Sequence, residues 1–329
     1  MKYKIIDNQS TPENTRAEYL YNTFCLDERL TPKKFVDCVK TAYYKYDAEV
    51  YQPAYAEKLK HPFNEFLNNL TGEACIIDIG AGTGESYWLV KGSGYVFNKY
   101  YYIEPFKQMI SQFKDKENQK VVIVNDYFES QKCTDLIKVI KGKKIFIMCA
   151  VLRTLDDINE FLDILSQEMQ QGDKLFLPIE PNNEYFGKRY KLITPLFFII
   201  RVYRKVRQLL LAKSKNKLDG FNDKHPLDKS LQYLRETGVV NDEFTKGMLY
   251  AIVYYNNYLC WRSINIPDQY NEGFFTVDQV VERLSCEVTE FNTWTYLYGI
   301  TPSNNWIEKI LHKLFPNSGS TFTAVLTKP

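Results

Sequence analysis

The sequence predicts an α/β protein built on a doubly wound, mostly parallel sheet. Three observations predict it. Between residues 75 and 181, short apolar runs alternate with helix-like segments, the pattern of successive βαβ units. The first run, Cys75 to Ile79, enters glycines at every second position (Gly80, Gly82 and Gly84) and then a helix-like segment from Glu85 to Lys91. A later run, Ile145 to Leu152, is apolar almost throughout, as a central strand buried on both faces must be.

Composition sets the bounds. The chain has 329 residues, 45% hydrophobic and 25% charged, enough for a large core and an accessory region. A net charge of +2 names no partner and argues against nucleic acid. Seven cysteines are scattered with no Cys-x-x-Cys pair, which disfavours a zinc site or a disulfide framework and fits a reducing, cytoplasmic setting. Residues 1–15 are polar and carry no leader-like apolar core. No apolar run approaches the roughly 20 residues that span a bilayer.

The glycine turn indicates a nucleotide cradle, because a Cβ would obstruct both a sharp turn and a close ligand. Its spacing departs from the dinucleotide fingerprint, and Glu85 stands where the third glycine of that fingerprint would fall. Asp78 precedes the first glycine by two residues. An acid there repels a pyrophosphate and attracts a ligand that carries an ammonium. With Asp78, Gly80, Ala81, Gly82 and Gly84 in place, the stretch resembles motif I of the class I S-adenosylmethionine (SAM)-dependent methyltransferases. The resemblance implies SAM as cofactor, with Asp78 drawing its ammonium and the glycines admitting it closely.

Later strand ends extend the resemblance. Tyr100 to Pro105 reads as a second strand ending in Glu104, an acid placed to accept hydrogen bonds from ribose hydroxyls. Val121 to Asp126 is a third strand, followed by Tyr127 and Phe128. In the family an acid here holds the adenine amine, which Asp126 and Tyr127 match. Asp126 equally reads as the N-cap of a helix from about residue 129 to 140. The Ile145 run leads through Cys149 into Arg153, where the family often has histidine. Arginine accepts no proton, so an imidazole base is ruled out at that point; Arg153 would instead hold an anionic group on the substrate. A helix from about Ile158 to Gln170 and a fifth strand, Lys174 to Pro181, complete this half. The resemblance implies seven strands in the order 3-2-1-4-5-7-6, with the last strand, Ser320 to Thr327, inserted antiparallel.

The flanking regions read as helical. Thr31-Pro32 opens one helix, and a second runs from about Ala54 to Leu70. Their tyrosines serve packing or form a lid, with Tyr51 or Tyr55 touching the cofactor. From Lys188 to Lys217 the chain carries ten Lys or Arg and no acid, interleaved with apolar residues. This basic amphipathic segment is either a lid helix with snorkelling stems or a contact for an anionic membrane or lipid. His225 stands in an expected turn, His225 to Asp228, and is either a solvated loop histidine or the one imidazole placed as a candidate base. Residues 230–265 read as an aromatic-rich helical cap. Residue 274 onward returns to the sheet, with a strand from Glu287 to Tyr298 and a helix from Thr301 to Phe315.

The expected organisation is therefore an N-terminal helical lid over 1–70, a SAM-binding core over 71–181, a helical substrate cap over 182–273 and the rest of the core over 274–329. The expected activity is methyl transfer to a small molecule, O- or N-linked, with flat or apolar bulk. Two alternatives stay open: a SAM-fold scaffold without turnover, and a different reaction of SAM such as intramolecular alkyl transfer. No metal site is expected, and the sequence names neither the acceptor nor the oligomeric state.

Overall fold

Seven strands form one sheet in the order β3-β2-β1-β4-β5-β7-β6 in the computed structural model. The structure describes residues 16–50, 52–155, 157–181, 226–254, 277–294, 313 and 321–329. The strands are β1 (Ala74–Ile79), β2 (Phe97–Ile103), β3 (Val121–Val124), β4 (Lys144–Met148), β5 (Lys174–Pro181), β6 (Glu287–Trp294) and β7 (Thr321–Thr327). Neighbours among β1 to β5 pair in parallel, while β7 runs antiparallel to both β5 and β6. This is the order and the reversed last strand that the class I methyltransferase resemblance implies.

Every residue of β1 and β4 is buried, which explains their near-continuous apolar sequence. Successive residues point to opposite faces, so each face has its own core. Ile77, Phe146 and Met148 pack under α6 (Gln131–Lys138), α7 (Ile158–Glu168) and α10 (Val277–Leu284). Ile76, Tyr100, Ile145 and Phe176 pack under α3 (Gln52–Asn68) and α4 (Glu85–Gly92). Phe66 of α3 stacks on Phe176 with ring centroids 4.1 Å apart. A short helix α5 (Lys107–Gln112) follows β2.

Helix boundaries correct two expectations. Asp126 is not a helix cap: α6 starts at Gln131, and the Ser130 side chain accepts from the Cys133 N–H. Nor is His225 to Asp228 a turn throughout, because Pro226 opens α8 (Pro226–Glu236), where a first-position proline loses no hydrogen bond. The strand expected to run to Leu152 ends at Met148, and Leu152–Thr154 winds as one 3₁₀ turn.

A third core lies off the sheet. α1 (Arg16–Phe24) and α2 (Pro32–Val50) pack with α8 and with α9 (Lys246–Val253). Phe35, Val36, Val39, Ala42 and Tyr43 of α2 are buried at helical spacing, facing Leu234, Phe244 and Ile252. The Ser230 hydroxyl donates to the Ala42 carbonyl at 3.0 Å across the two halves of this cap. Thus α1 and α2 share a core with α8 and α9, whereas α3 packs on the sheet. Tyr51, His225, His312, the basic segment 188–217 and the expected helix over 301–315, apart from residue 313, lie outside the described residues; so does the Tyr55 side chain.

Candidate functional site

A cavity of about 720 Å³ opens at the carboxyl ends of the parallel strands, where ligands of doubly wound sheets bind. The glycine turn after β1, Glu104 to Phe106 after β2, Asp126 and Tyr127 after β3, and Cys149 to Val151 with Arg153 after β4 line one side. Lys40, Tyr44, Asp47 and Tyr254 of the cap line the other. The structure therefore brings together Gly80, Ala81, Gly82, Glu104, Pro105, Asp126, Tyr127, Cys149 and Arg153.

The glycines divide by role. Gly80, Gly82 and Gly84 all have left-handed φ, at 64°, 59° and 95°. A Cβ on Gly80 would lie 2.6 Å from Val151 Cγ2, and one on Gly84 would lie 2.5 Å from the Phe113 ring. These two glycines make room for protein. A Cβ on Gly82 would meet nothing nearer than Glu85 Oε2 at 3.9 Å, so of the glycines on the cavity wall it is the one with free space at its Cα. Neither Gly84 nor Asp78 is on the cavity wall.

Asp78 differs from its expected role. It is fully buried in β1, and its Oδ2 accepts from the Tyr100 hydroxyl at 2.6 Å. Among the described residues its Oδ1 has no hydrogen-bond partner. Burial pushes its carboxyl up to about 8, against the pull of the Tyr100 hydrogen bond. The group therefore sits behind the glycine turn rather than on the surface a ligand would touch.

Glu104 is the best-defined acid on the wall. Its Oε2 accepts from the Gly82 N–H at 3.0 Å and its Oε1 from the Phe106 N–H at 2.9 Å. It thus ties the glycine turn to the end of β2. Burial pushes its carboxyl up to about 7, against those two bonds. Each oxygen keeps a second lone pair for a donor in the cavity. The Tyr102 hydroxyl donates to the Gly82 carbonyl and fixes the same turn from below.

Asp126 Oδ1 accepts from the Tyr127 N–H at 2.9 Å, and the Tyr127 hydroxyl donates to Asp37 of α2 at 2.7 Å. Tyr127 therefore bridges the sheet edge to the cap. After β4, Ala150 takes a left-handed φ of 60°, a costly conformation for a residue with a Cβ. Glu180 of β5 holds this turn: its Oε1 accepts from the Val151 N–H at 2.9 Å and the Leu152 N–H at 3.3 Å. Burial pushes the Glu180 carboxyl up to about 8, while Arg153 and these amides oppose the rise. The Arg153 guanidinium stands 4.7 Å from the Tyr254 ring centroid.

Sequence reading expected a lid and a cap on this side of the cavity but did not single out Lys40 or Asp47. Lys40, Tyr44 and Asp47 are spaced by four and three residues, one face of α2. That polar stripe beside an apolar one was the available signal. Lys40 donates to the Thr154 carbonyl at 2.8 Å, and Tyr44 packs on Phe106 with centroids 4.6 Å apart. Glu180, too, continues the series of acids at strand ends. Among the described residues no cluster of potential ligands could hold a metal ion, and no helix is long and apolar enough to cross a membrane.

No family model matches the chain, and no curated protein matches it. Solved structures do. A SAM-dependent methyltransferase from Leishmania major is 10% identical, with a TM-score of 0.44 over 94% of this chain and 91% of that one. One from Thermotoga maritima is 12% identical, with a TM-score of 0.41 over 87% of this chain and 100% of that one. One from Archaeoglobus fulgidus is 13% identical, with a TM-score of 0.39 over 83% and 94%. The class I methyltransferase fold is assigned here on the strand order and the antiparallel β7.

Proposed function

We propose that the protein is a SAM-dependent methyltransferase acting on a small molecule. The observation that carries this reading is Glu104, a buried carboxylate on the cavity wall whose two oxygens are each fixed by one backbone N–H. A carboxylate held this way presents paired acceptors to a vicinal diol, which is how a ribose is gripped. Asp126 and Tyr127 lie one strand further out, where an adenine would extend. Gly82 offers open backbone to the cavity, with Asp78 buried behind the glycine turn. When bound, SAM would supply an electrophilic methyl group on a sulfonium. The chain's own residues would align the acceptor and keep water out, between the strand ends and the cap. The small-molecule part of the reading rests on the cavity, which is of ordinary ligand size.

The test is incubation with SAM and a panel of small amines, phenols and carboxylic acids, with products read by mass. S-adenosylhomocysteine and a substrate heavier by one methylene are the expected products. Methylthioadenosine would favour alkyl transfer instead. SAM recovered intact with every candidate would favour a scaffold.

A further inference from the structure

We propose that the cap side of the cavity takes a basic amine as methyl acceptor, with Asp47 as the carboxylate that receives its proton. This rests on the methyl-transfer reading above. Asp47 is only 7% exposed, yet it lines the cavity. Its Oδ1 accepts from the Tyr43 hydroxyl at 3.1 Å, and among the described residues no other group bonds its carboxylate side chain. The second oxygen is thus left for a donor inside the cavity. The Tyr43 hydroxyl lies 3.5 Å from that of Tyr254, so the carboxylate is steadied from two helices of the cap. Tyr44 and Tyr254 give this side aromatic walls, which suit a cation beside flat or apolar bulk.

Charge around the cavity points the same way. Among the described residues, eight carboxylate side chains and three cationic ones line it. Lys40 is turned to the Thr154 carbonyl, and Arg153 stands against Tyr254 with its charge acting on the buried Glu180. A concave wall with this excess concentrates cations and repels carboxylates and phosphates. Arg153 lines the cavity with its guanidinium against the Tyr254 ring and its charge acting on Glu180.

An ammonium has no lone pair with which to attack, so an amine acceptor needs a base. The ammonium gives one proton to the Asp47 carboxylate, leaving a neutral amine and a carboxylic acid. The nitrogen lone pair then forms the C–N bond as the sulfonium C–S bond breaks, and that bond's electron pair stays on sulfur as a neutral thioether. Among the described residues, Tyr43 and Tyr44 on its own helix, Glu85 of α4 and Arg153 after β4 act on Asp47, and Tyr254, at the C-cap of α9, reaches it through Tyr43. Burial pushes the Asp47 carboxyl up to about 6 and Glu85 adds to this, while Tyr43 and Arg153 oppose it. Such a group is ionised at neutral pH and still basic enough to hold a proton briefly.

The experiment is calorimetry on the full chain saturated with S-adenosylhomocysteine. The probes are 2-phenylethylamine, 2-phenylethanol and phenylacetate, which share one shape. The amine is expected to bind at least about ten-fold more tightly than either control. Its affinity should fall as pH drops from 7 to 5, because Asp47 is then already protonated. Asp47→Asn should lose the amine preference and its pH dependence while S-adenosylhomocysteine still binds. Tyr43→Phe, which removes one hydroxyl, should move the midpoint of that pH dependence upward. Equal binding of the alcohol or the acid, or an unchanged amine affinity in Asp47→Asn, would overturn the inference alone. Failure of S-adenosylhomocysteine to bind wild type would overturn the underlying reading and this one with it.

Discussion

The two walls of the cavity are made in different ways. The sheet wall comes from strand ends, where apolar run, turn and acid follow one another within a few residues. The cap wall comes from α2 and the C-cap of α9, whose cavity-lining residues Asp47 and Tyr254 lie about two hundred positions apart in the chain. The sheet wall has short-range causes: parallel pairing puts all the carboxyl ends on one edge. The cap wall exists only because the apolar stripe of α2 finds α8 and α9, which turns Lys40, Tyr44 and Asp47 toward the cleft. A local motif can therefore announce a cofactor wall, while an acceptor wall waits on tertiary packing.

Core substitutions test that separation most severely. Phe176→Ala removes the β5 ring on which Phe66 stacks and which Phe63 meets edge-on, and should cost about 3–5 kcal/mol. It should lower the midpoint of chemical denaturation and weaken S-adenosylhomocysteine binding as well. Leu234→Ala, in the cap core, should cost about 2–5 kcal/mol. Because that cluster contains no sheet residue, cofactor affinity should stay within a few-fold of wild type. A parallel loss of cofactor affinity in both variants would break the comparison.

Gly80→Ala comes next. Its Cβ would crowd Val151, and its φ of 64° disfavours any side chain, at a cost of about 1–3 kcal/mol. Gly82→Ala has the same backbone cost but a free Cβ site. Cofactor titration and thermal unfolding on both should show Gly80→Ala the less stable and Gly82→Ala at least as impaired in binding.

A further test lies in pH. Burial raises the carboxyls of Asp47, Asp78, Glu104 and Glu180 to between about 6 and about 8. Above their ordinary values of 3.8 and 4.5, the unfolded chain has released these protons while the folded chain still holds them. The folded state then binds more protons, so stability falls as pH rises toward 8. The ligand-free melting temperature should therefore drop between pH 5 and pH 8. A rise over that window would contradict the burial of these acids.

Much of the sheet was legible because its signals are local. Asp78 to Gly84, Glu104 and Asp126 were found from the apolar runs that lead into them and from the family resemblance. The roles were less legible. Nothing in the sequence distinguishes Gly80, which makes room for Val151, from Gly82, which faces the cavity. Nothing marks Asp78 as turned into the Tyr100 side of β1 until the sheet is paired. Ser130 rather than Asp126 caps α6, because both satisfy the same cap preference and only the backbone path chooses. Asp47 and Glu180 were missed because each acts across the fold, on a helix or strand whose partners lie far along the chain.

The most direct test of the central claim is calorimetric binding of S-adenosylhomocysteine, with NADH as control, to wild type and Glu104→Ala. Two charge-assisted hydrogen bonds at about 1.5–3 kcal/mol each imply a loss of roughly 100-fold or more in the variant. Glu104→Gln, with the side-chain volume kept, should fall between the two. Tight binding to wild type, lost in Glu104→Ala and absent for NADH, is the predicted result. No binding to wild type, or equal binding to the alanine variant, would contradict the account.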